Sequence, residues 1–301
     1  MEISTRRSLP HYANERFDKW FARHCRASAS APNGFGVHRN ALQKRGHVIL
    51  WDDTFVRYHE PHIGIAAVKV LEALGFEVSL LKHRRCCGRP AFSQGNLDTA
   101  LKLGKHNISQ LSSLNSQPSA PPILFLEPSC WSMFVEDYRE LRIENAEKVA
   151  ARCFLFEKFV DDLLTRHPRA LPSQNSTALS RRVSAERRKP QGRLVNVAIH
   201  PHCHAKSILN PAFMKRLVER LPGHHATLLD TACCGMAGAF GALSEKYDLS
   251  VQVAQDLIDK IENQGRETQI IASGTSCRHQ IRDLTNIRSK HMAEVLAEAL
   301  P

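Results

Sequence analysis

The sequence predicts an α/β protein made of two tandem cysteine-rich half-domains with mostly parallel sheets, the halves related by internal duplication. Three observations predict it. Strand-like apolar runs alternate with helix-like segments through both halves. The triplet Cys-Cys-Gly occurs twice, at residues 86–88 and 233–235. Cys86 lies 44 residues before Cys130, and Cys233 lies 44 before Cys277. For this composition, two such triplets sharing a third cysteine at one offset is a chance event on the order of one in many thousands.

Each element follows in order. "HVILWDD" (47–53) is a β-rich run, and "IGIAAVKVLEALG" (63–75) spaces its apolar residues as a helix and ends on a stopping glycine. A strand at 76–81 leads into the first Cys-Cys-Gly, followed by a helix over 97–111, a buried strand over 122–130 and a closing helix over 154–164. The second half repeats this order: strand 194–203, helix 210–221, strand 225–230, Cys-Cys-Gly, helix 247–265, strand 268–277 and closing helix 292–300. Residues 165–193 are rich in Ser, Pro, Arg and Gln and cannot bury enough surface to offset their ordering entropy, so they read as a flexible linker. The expected divisions are a basic N-terminal segment (1–47), repeat 1 (48–164), the basic linker (165–193) and repeat 2 (194–301).

Bulk composition excludes several classes. The 301 residues are 43% hydrophobic and 24% charged, which is ordinary for a globular chain. No apolar run approaches the roughly 20 residues that cross a bilayer, and the N-terminus carries no apolar core of a secretory signal. A cytoplasmic location is expected, where nine cysteines signify metal or redox chemistry rather than structural disulfides. Peripheral membrane association stays open. The net charge of +11 does not indicate nucleic acid: eight Lys/Arg against one Glu sit in the linker, and nine against three acids in residues 1–47. The body is left slightly acidic, so the basicity is a solvated tail and linker.

The chemistry lies in the cysteines. In α/β units ligands gather at the carboxyl ends of strands. Both Cys-Cys-Gly triplets follow predicted strands, and Cys130, Cys203 and Cys277 are expected to end strands. In repeat 2, Cys203, Cys233, Cys234 and Cys277 could converge from three loops. Gly88 and Gly235 permit the bend that turns adjacent thiols to one side. Free N–H groups of the following helix, with Lys206 and Arg278, would stabilise an anionic iron–sulfur cluster. Zinc is a rival, although paired C-x₂₋₄-C knuckles are missing. A strained vicinal disulfide, a redox-active dithiol and plain core packing are the others. His200, His202 and His204 flank Cys203 and read first as hydrogen-bonded loop histidines, with a ligand or proton-donor role as the alternative. Glu127 is read as a cap or Arg partner before a buried base. Arg278 and His279 either tune the cluster or pair at the surface; Cys153 reads as core and Cys25 as an exposed bystander.

These residues resemble the cysteine-rich "CCG" domain of iron–sulfur oxidoreductases. That family includes a cysteine-rich subunit of heterodisulfide reductase, the iron–sulfur subunits of glycolate oxidase and anaerobic glycerol-3-phosphate dehydrogenase, and lactate-utilisation proteins. The C-terminal region of FAD-linked oxidase/iron–sulfur fusions is the nearest likeness. "LWDDTFVRYHEPHIGIAAVKVLEALGFEV", "RRCCGRPAFSQGNLDTA", "LEPSCWSMF", "HPHCHAKS", "DTACCGMAGAFG" and "GTSCRHQI" carry it, and "LPHYANERFDKWFARH" is similar to the segment preceding this domain in the fusions.

The resemblance implies a 4Fe–4S cluster on Cys203, Cys233, Cys234 and Cys277. Repeat 1 keeps Cys86, Cys87 and Cys130 but has Thr54 where the opening cysteine belongs, which implies an incomplete second site. The family's last C-x-x-C position is Gln280 in repeat 2 and Met133 in repeat 1. Ferredoxin-type cysteine runs and an FAD fingerprint are missing, so the chain is expected to act as a detached domain. Its expected partners are an FAD-containing dehydrogenase or a ferredoxin-type iron–sulfur subunit. The implied function is electron transfer from a dehydrogenase of a 2-hydroxy acid. The alternative is a non-catalytic or zinc-binding scaffold.

Overall fold

Val48, Ile49, Leu50 and Trp51 are all buried, so the strand they form is covered on both faces, as parallel sheets are. In the computed structural model, which describes residues 2–30, 45–114, 120–168, 170 and 194–300, this strand is β1 (Gly46–Trp51). With β2 (Phe76–Leu80), β3 (Ile123–Phe125) and β4 (Cys153–Leu155) it forms a parallel sheet ordered β2-β1-β3-β4. β5 (Val195–His200), β6 (His224–Leu228) and β7 (Gln269–Ala272) form a second parallel sheet ordered β6-β5-β7. A lone parallel bridge from Ile271 to Lys290 stands where β4 stands in repeat 1. The α/β class, the parallel sheets and the duplication are thus as the sequence predicts.

The helices are α1 (Phe17–Ser30), α2 (Thr54–Tyr58), α3 (Pro61–Ala73), α4 (Arg89–Ser93), α5 (Leu97–Ser112), α6 (Pro128–Ser132), α7 (Tyr138–Glu140), α8 (Ala146–Ala150) and α9 (Phe156–Arg166) in the first half. A π-type turn, Met133–Asp137, joins α6 to α7. The second half holds α10 (Cys203–Ile208), α11 (Ala212–Glu219), α12 (Tyr247–Glu262), α13 (Thr275–Thr285) and α14 (Met292–Glu298). Nine elements escape the sequence reading: α1, β4, the short helices α2, α4, α6, α7, α8 and α10, and α13. α1 carries a legible apolar spacing, Phe17, Trp20 and Phe21, and buries Phe17 and Phe21. β4 is three residues long, too short for any periodicity to register.

Three predicted strands end early. Strand 122–130 stops at Phe125, because Pro128 opens α6 under a Glu127 cap. Strand 194–203 stops at His200, ahead of Pro201, and strand 268–277 stops at Ala272. Cys130, Cys203 and Cys277 therefore lie on the first turns of α6, α10 and α13, not on strand ends as expected. Most of the predicted linker, 171–193, lies outside the described residues; Thr165 and Arg166 complete α9.

Alternate residues of β1 point to different cores, as the pleat requires. Ile49 and Trp51 enter a core built mainly from the first half, with Ile108, Phe125 and Phe134, which also takes Ala205 of α10. Val48 and Leu50 enter a core that also receives Val197, Ile199 and Ile271 from the second sheet. The two sheets thus turn one face each toward a common interior. The closing helices are exchanged across it: α14 of repeat 2 packs on α3 of repeat 1, and α9 of repeat 1 packs on α11 of repeat 2.

Candidate functional site

Register fixes which residues correspond. Trp51 pairs with Phe125 and His200 pairs with Ala272, so Trp51 and His200 occupy one place in the two repeats. Two residues further on, Asp53 caps α2 and His202 caps α10, and Thr54 and Cys203 each open the capped helix. The sequence placed Thr54 at the missing cysteine, and the fold puts it there, with the Thr54 side chain exposed.

Both Cys-Cys-Gly loops make the same bend, with Gly88 at φ +87° and Gly235 at φ +81°, in the left-handed region. Their supports differ. In repeat 1, Asn107 accepts from the Arg85 N–H at 2.9 Å and donates to the Cys86 carbonyl at 3.0 Å, while Tyr138 Oη donates to the Cys87 carbonyl at 2.6 Å. In repeat 2, Lys206 Nζ donates to the carbonyls of Thr231 and Ala232. Lys206 therefore ties down the loop backbone. The helix after the second Cys-Cys-Gly begins at Tyr247, as the sequence predicts, so the loop 236–246 separates its free N–H groups from the triplet. Arg7 holds that loop from the N-terminus, donating to the Gly241 carbonyl at 2.7 Å and Ser250 Oγ at 3.0 Å. Arg7, Asn107 and Tyr138 were missed by sequence reasoning, since no local pattern links them to a cysteine so distant in the chain.

In repeat 2 the thiols lie near enough to shift one another's titration, Cys203 with Cys233, Cys233 with Cys234 and Cys234 with Cys277, while the Gly235 N–H donates to Cys233 Sγ at 3.3 Å. Hydrogen bonds from Cys203 and Cys234 pull the Cys233 thiol down, and one from Cys234 pulls Cys277 down, with the His200 ring adding to the latter. Cys203 and Cys234, the donors, are pushed up. In repeat 1, Cys130 Sγ stands 3.0 Å from Cys87 Sγ. All three thiols there are pushed up: Cys86 by its bond to Cys87, Cys87 by its bond to Cys130, and Cys130 by burial and the nearby Asp53 and Glu127 against its bond to Cys87.

The flanking residues are mostly committed elsewhere. Gln280 is fully buried and donates to Ser250 O at 3.2 Å, turned toward α12; Met133 is core. Arg278 is held by Glu60 at 2.6 Å and by the Ser273 carbonyl at 2.6 Å, so it is an interlobe pair and not a surface one. Burial would raise Glu60, but Arg278 lowers it to about 2. His279 meets the Phe55 ring edge-on. His200 Nδ1 bonds Thr231 Oγ1 at 2.6 Å, and His204 Nδ1 bonds Ser132 Oγ at 2.9 Å. Burial and then the charge of Arg89 push His204 down to about 4. Cys153 is core, its thiol on the Val149 carbonyl at 3.3 Å, and Cys25 is exposed.

All nine cysteines are free thiols. Among the described residues, no three or more His, Cys, Asp or Glu side chains are spaced around a metal-sized centre. The donor set itself suits iron–sulfur ligation: four thiols, two from the Cys-Cys-Gly loop and one each from the first turns of α10 and α13.

A family model described as "Cysteine-rich domain" matches residues 54–135 and again 197–282. The chain is 26% identical over 301 residues to a subunit of anaerobic glycerol-3-phosphate dehydrogenase from Escherichia coli (strain K12), spanning all of this chain and 67% of that protein. It is 28% identical over 256 residues to "Lactate utilization protein A" of an Exiguobacterium species, covering 80% of this chain and 92% of the relative. A Bacillus pumilus protein of the same name is 27% identical over 251 residues, 79% of this chain and 93% of that one.

Proposed function

The chain belongs to the cysteine-rich domain family, and from that premise we propose that it is an iron–sulfur subunit serving a flavoprotein dehydrogenase. The single observation that carries the reading is the set of four thiols in repeat 2. Cys203, Cys233, Cys234 and Cys277 would hold a 4Fe–4S cluster, which supplies one-electron transfer when bound. The chain's own residues do the rest. Gly235 supplies the left-handed bend that follows the two neighbouring thiols, Lys206 fixes that loop, and the His200 ring helps to lower the Cys277 thiol.

Repeat 1 offers Cys86, Cys87 and Cys130 without a fourth thiol, so its site is incomplete. The substrate class rests on the relatives' names: lactate and glycerol 3-phosphate both present a secondary alcohol, and a 2-hydroxy acid is the favoured donor to the flavoprotein. An FAD-containing dehydrogenase and a ferredoxin-type iron–sulfur protein are the proposed partners. No described helix is long and apolar enough to cross a membrane. A cytoplasmic setting is proposed because nine free thiols persist in a reducing compartment.

The test is iron and acid-labile sulfide per chain after anaerobic purification, with EPR and a Cys234→Ser variant. About four irons with matching sulfide, as a 4Fe–4S cluster requires, lost in the variant, is the expected result. Zinc, or no metal after anaerobic reconstitution, overturns it in favour of the scaffold reading.

A further inference from the structure

We infer that Glu127 of repeat 1 is a positioning residue for the repeat 2 cluster, locking the Cys130 and Cys277 helices together and biasing the cluster's potential through its charge. The inference rests on the iron–sulfur reading above and deepens it. Glu127 is 6% exposed, and its two oxygens are divided between the repeats. Oε1 accepts from the Ser129 N–H at 3.2 Å and Ser129 Oγ at 2.7 Å, capping its own helix α6. Oε2 accepts from the Thr275 N–H at 2.8 Å, satisfying the first turn of α13 in the other repeat. Cys277 is two residues beyond Thr275 in that turn.

The duplication shows why one carboxylate serves two helices. By register, Glu127 and Gly274 are equivalent positions, each the residue before its cysteine helix. A Cβ at Gly274 would stand 2.0 Å from His202 Cδ2, so that place cannot carry a side chain. The α13 cap has no acid of its own and borrows the acid of repeat 1. The His202 ring that excludes it also faces Glu127: Nδ1 accepts the His204 N–H at 3.1 Å, and Nε2 lies 3.9 Å from Glu127 Oε1. Glu127, Gly274 and His202 thus form one junction, joining the cap of α10, which Cys203 opens, to the caps of α6 and α13.

Two consequences follow. The cap orients the turn that presents Cys277, and outer-shell partners of this kind govern how firmly a metal group is held. A buried anion near the cluster disfavours the added electron, so it lowers the potential.

The experiment compares wild type, Glu127→Gln and Glu127→Ala, purified anaerobically, by iron content, EPR-monitored redox titration and iron release to a chelator. With its amide oxygen on the Thr275 N–H, the Gln variant keeps that cap, turns its NH2 to donate to Ser129 Oγ, gives up the bond from the Ser129 N–H and loses the charge. Its iron content and EPR line shape should match wild type while its midpoint potential moves positive. The Ala variant should release iron roughly 10–100-fold faster, the range for lost outer-shell partners. A Gln variant with an unchanged potential, or an Ala variant that holds iron as wild type does, overturns the inference. Wild-type protein without iron refutes the cluster reading instead, so the two failures are distinguishable.

Discussion

Gly235 sits under the carbonyl of Ser250, so close that a Cβ at residue 235 would stand 2.1 Å from that oxygen. The same glycine holds φ at +81°. Steric approach and backbone sign therefore both exclude a side chain at this bend. Gly235→Ala should destabilise the protein by about 3 kcal/mol or more, combining left-handed strain with a backbone clash. Gly95→Ala is the control, since Gly95 has φ +75° but nothing within 4 Å of an added Cβ. It should cost only the backbone strain, about 1 kcal/mol. Urea unfolding of the two variants checks the difference; equal costs would remove the role given to Ser250.

Glu60 and Arg278 form a buried interlobe ion pair, 16% and 7% exposed at the side chain. Removing one partner strands the other. Glu60→Ala should cost roughly 3–5 kcal/mol, the range for an uncompensated buried charge. The pH dependence has a definite sign. Glu60 is depressed to about 2 in the folded protein, so its contribution is present above the ordinary carboxylate range and is lost as pH falls toward 2. Wild type should lose stability in that acid window more steeply than Glu60→Gln.

Glu157 has the opposite sign. Burial holds its carboxyl at about 7, and Oε2 has no hydrogen-bond partner among the described residues. Its stabilising protonated form is complete below the unfolded value of about 4.3 and is lost as pH rises through about 7. Glu157→Gln should therefore leave stability at about pH 4 unchanged and raise it at about pH 8 by roughly 1–3 kcal/mol, the cost of an unsatisfied buried group. Chemical denaturation at the two pH values measures this; a variant no more stable than wild type under the alkaline condition would refute it.

Exchange of α9 and α14 makes the repeats interdependent. A fragment of residues 45–170 lacks α14, which covers α3, and exposes Val48, Leu50 and Leu71 of the common core. The fragment should show helical signal without a cooperative thermal transition, and should bind hydrophobic dye. A sharp transition in the fragment alone would show that repeat 1 folds independently.

The duplication was legible because Cys-Cys-Gly and a third cysteine recur at one interval, and interval is a property of the chain itself. The strand and helix order was legible too, since "HVILW" and "IGIAAVKVLEALG" carry their periods locally. The ends of three strands were misread at Cys130, Cys203 and Cys277 for a physical reason. An apolar run looks the same whether it continues as strand or turns into the buried first turn of a helix, and the caps at Glu127 and His202 are contacts rather than periods. Arg7, Asn107 and Tyr138 were invisible because each reaches a loop far away in the chain.

By itself the sequence determined an α/β chain built twice, the recurrence of Cys-Cys-Gly with a third cysteine at one interval, and the lack of a thiol at Thr54. Tertiary structure alone decided that the two sheets share a core, that the closing helices change places, and that one carboxylate caps helices of both repeats. Local periodicity fixes what each segment can bury, whereas which segment buries it depends on shape matching between surfaces that meet only in the folded chain. The asymmetry at Glu127 and Gly274 shows the difference: both residues are plain in the sequence, but only the His202 ring beside Gly274 explains why the second repeat has no acid there.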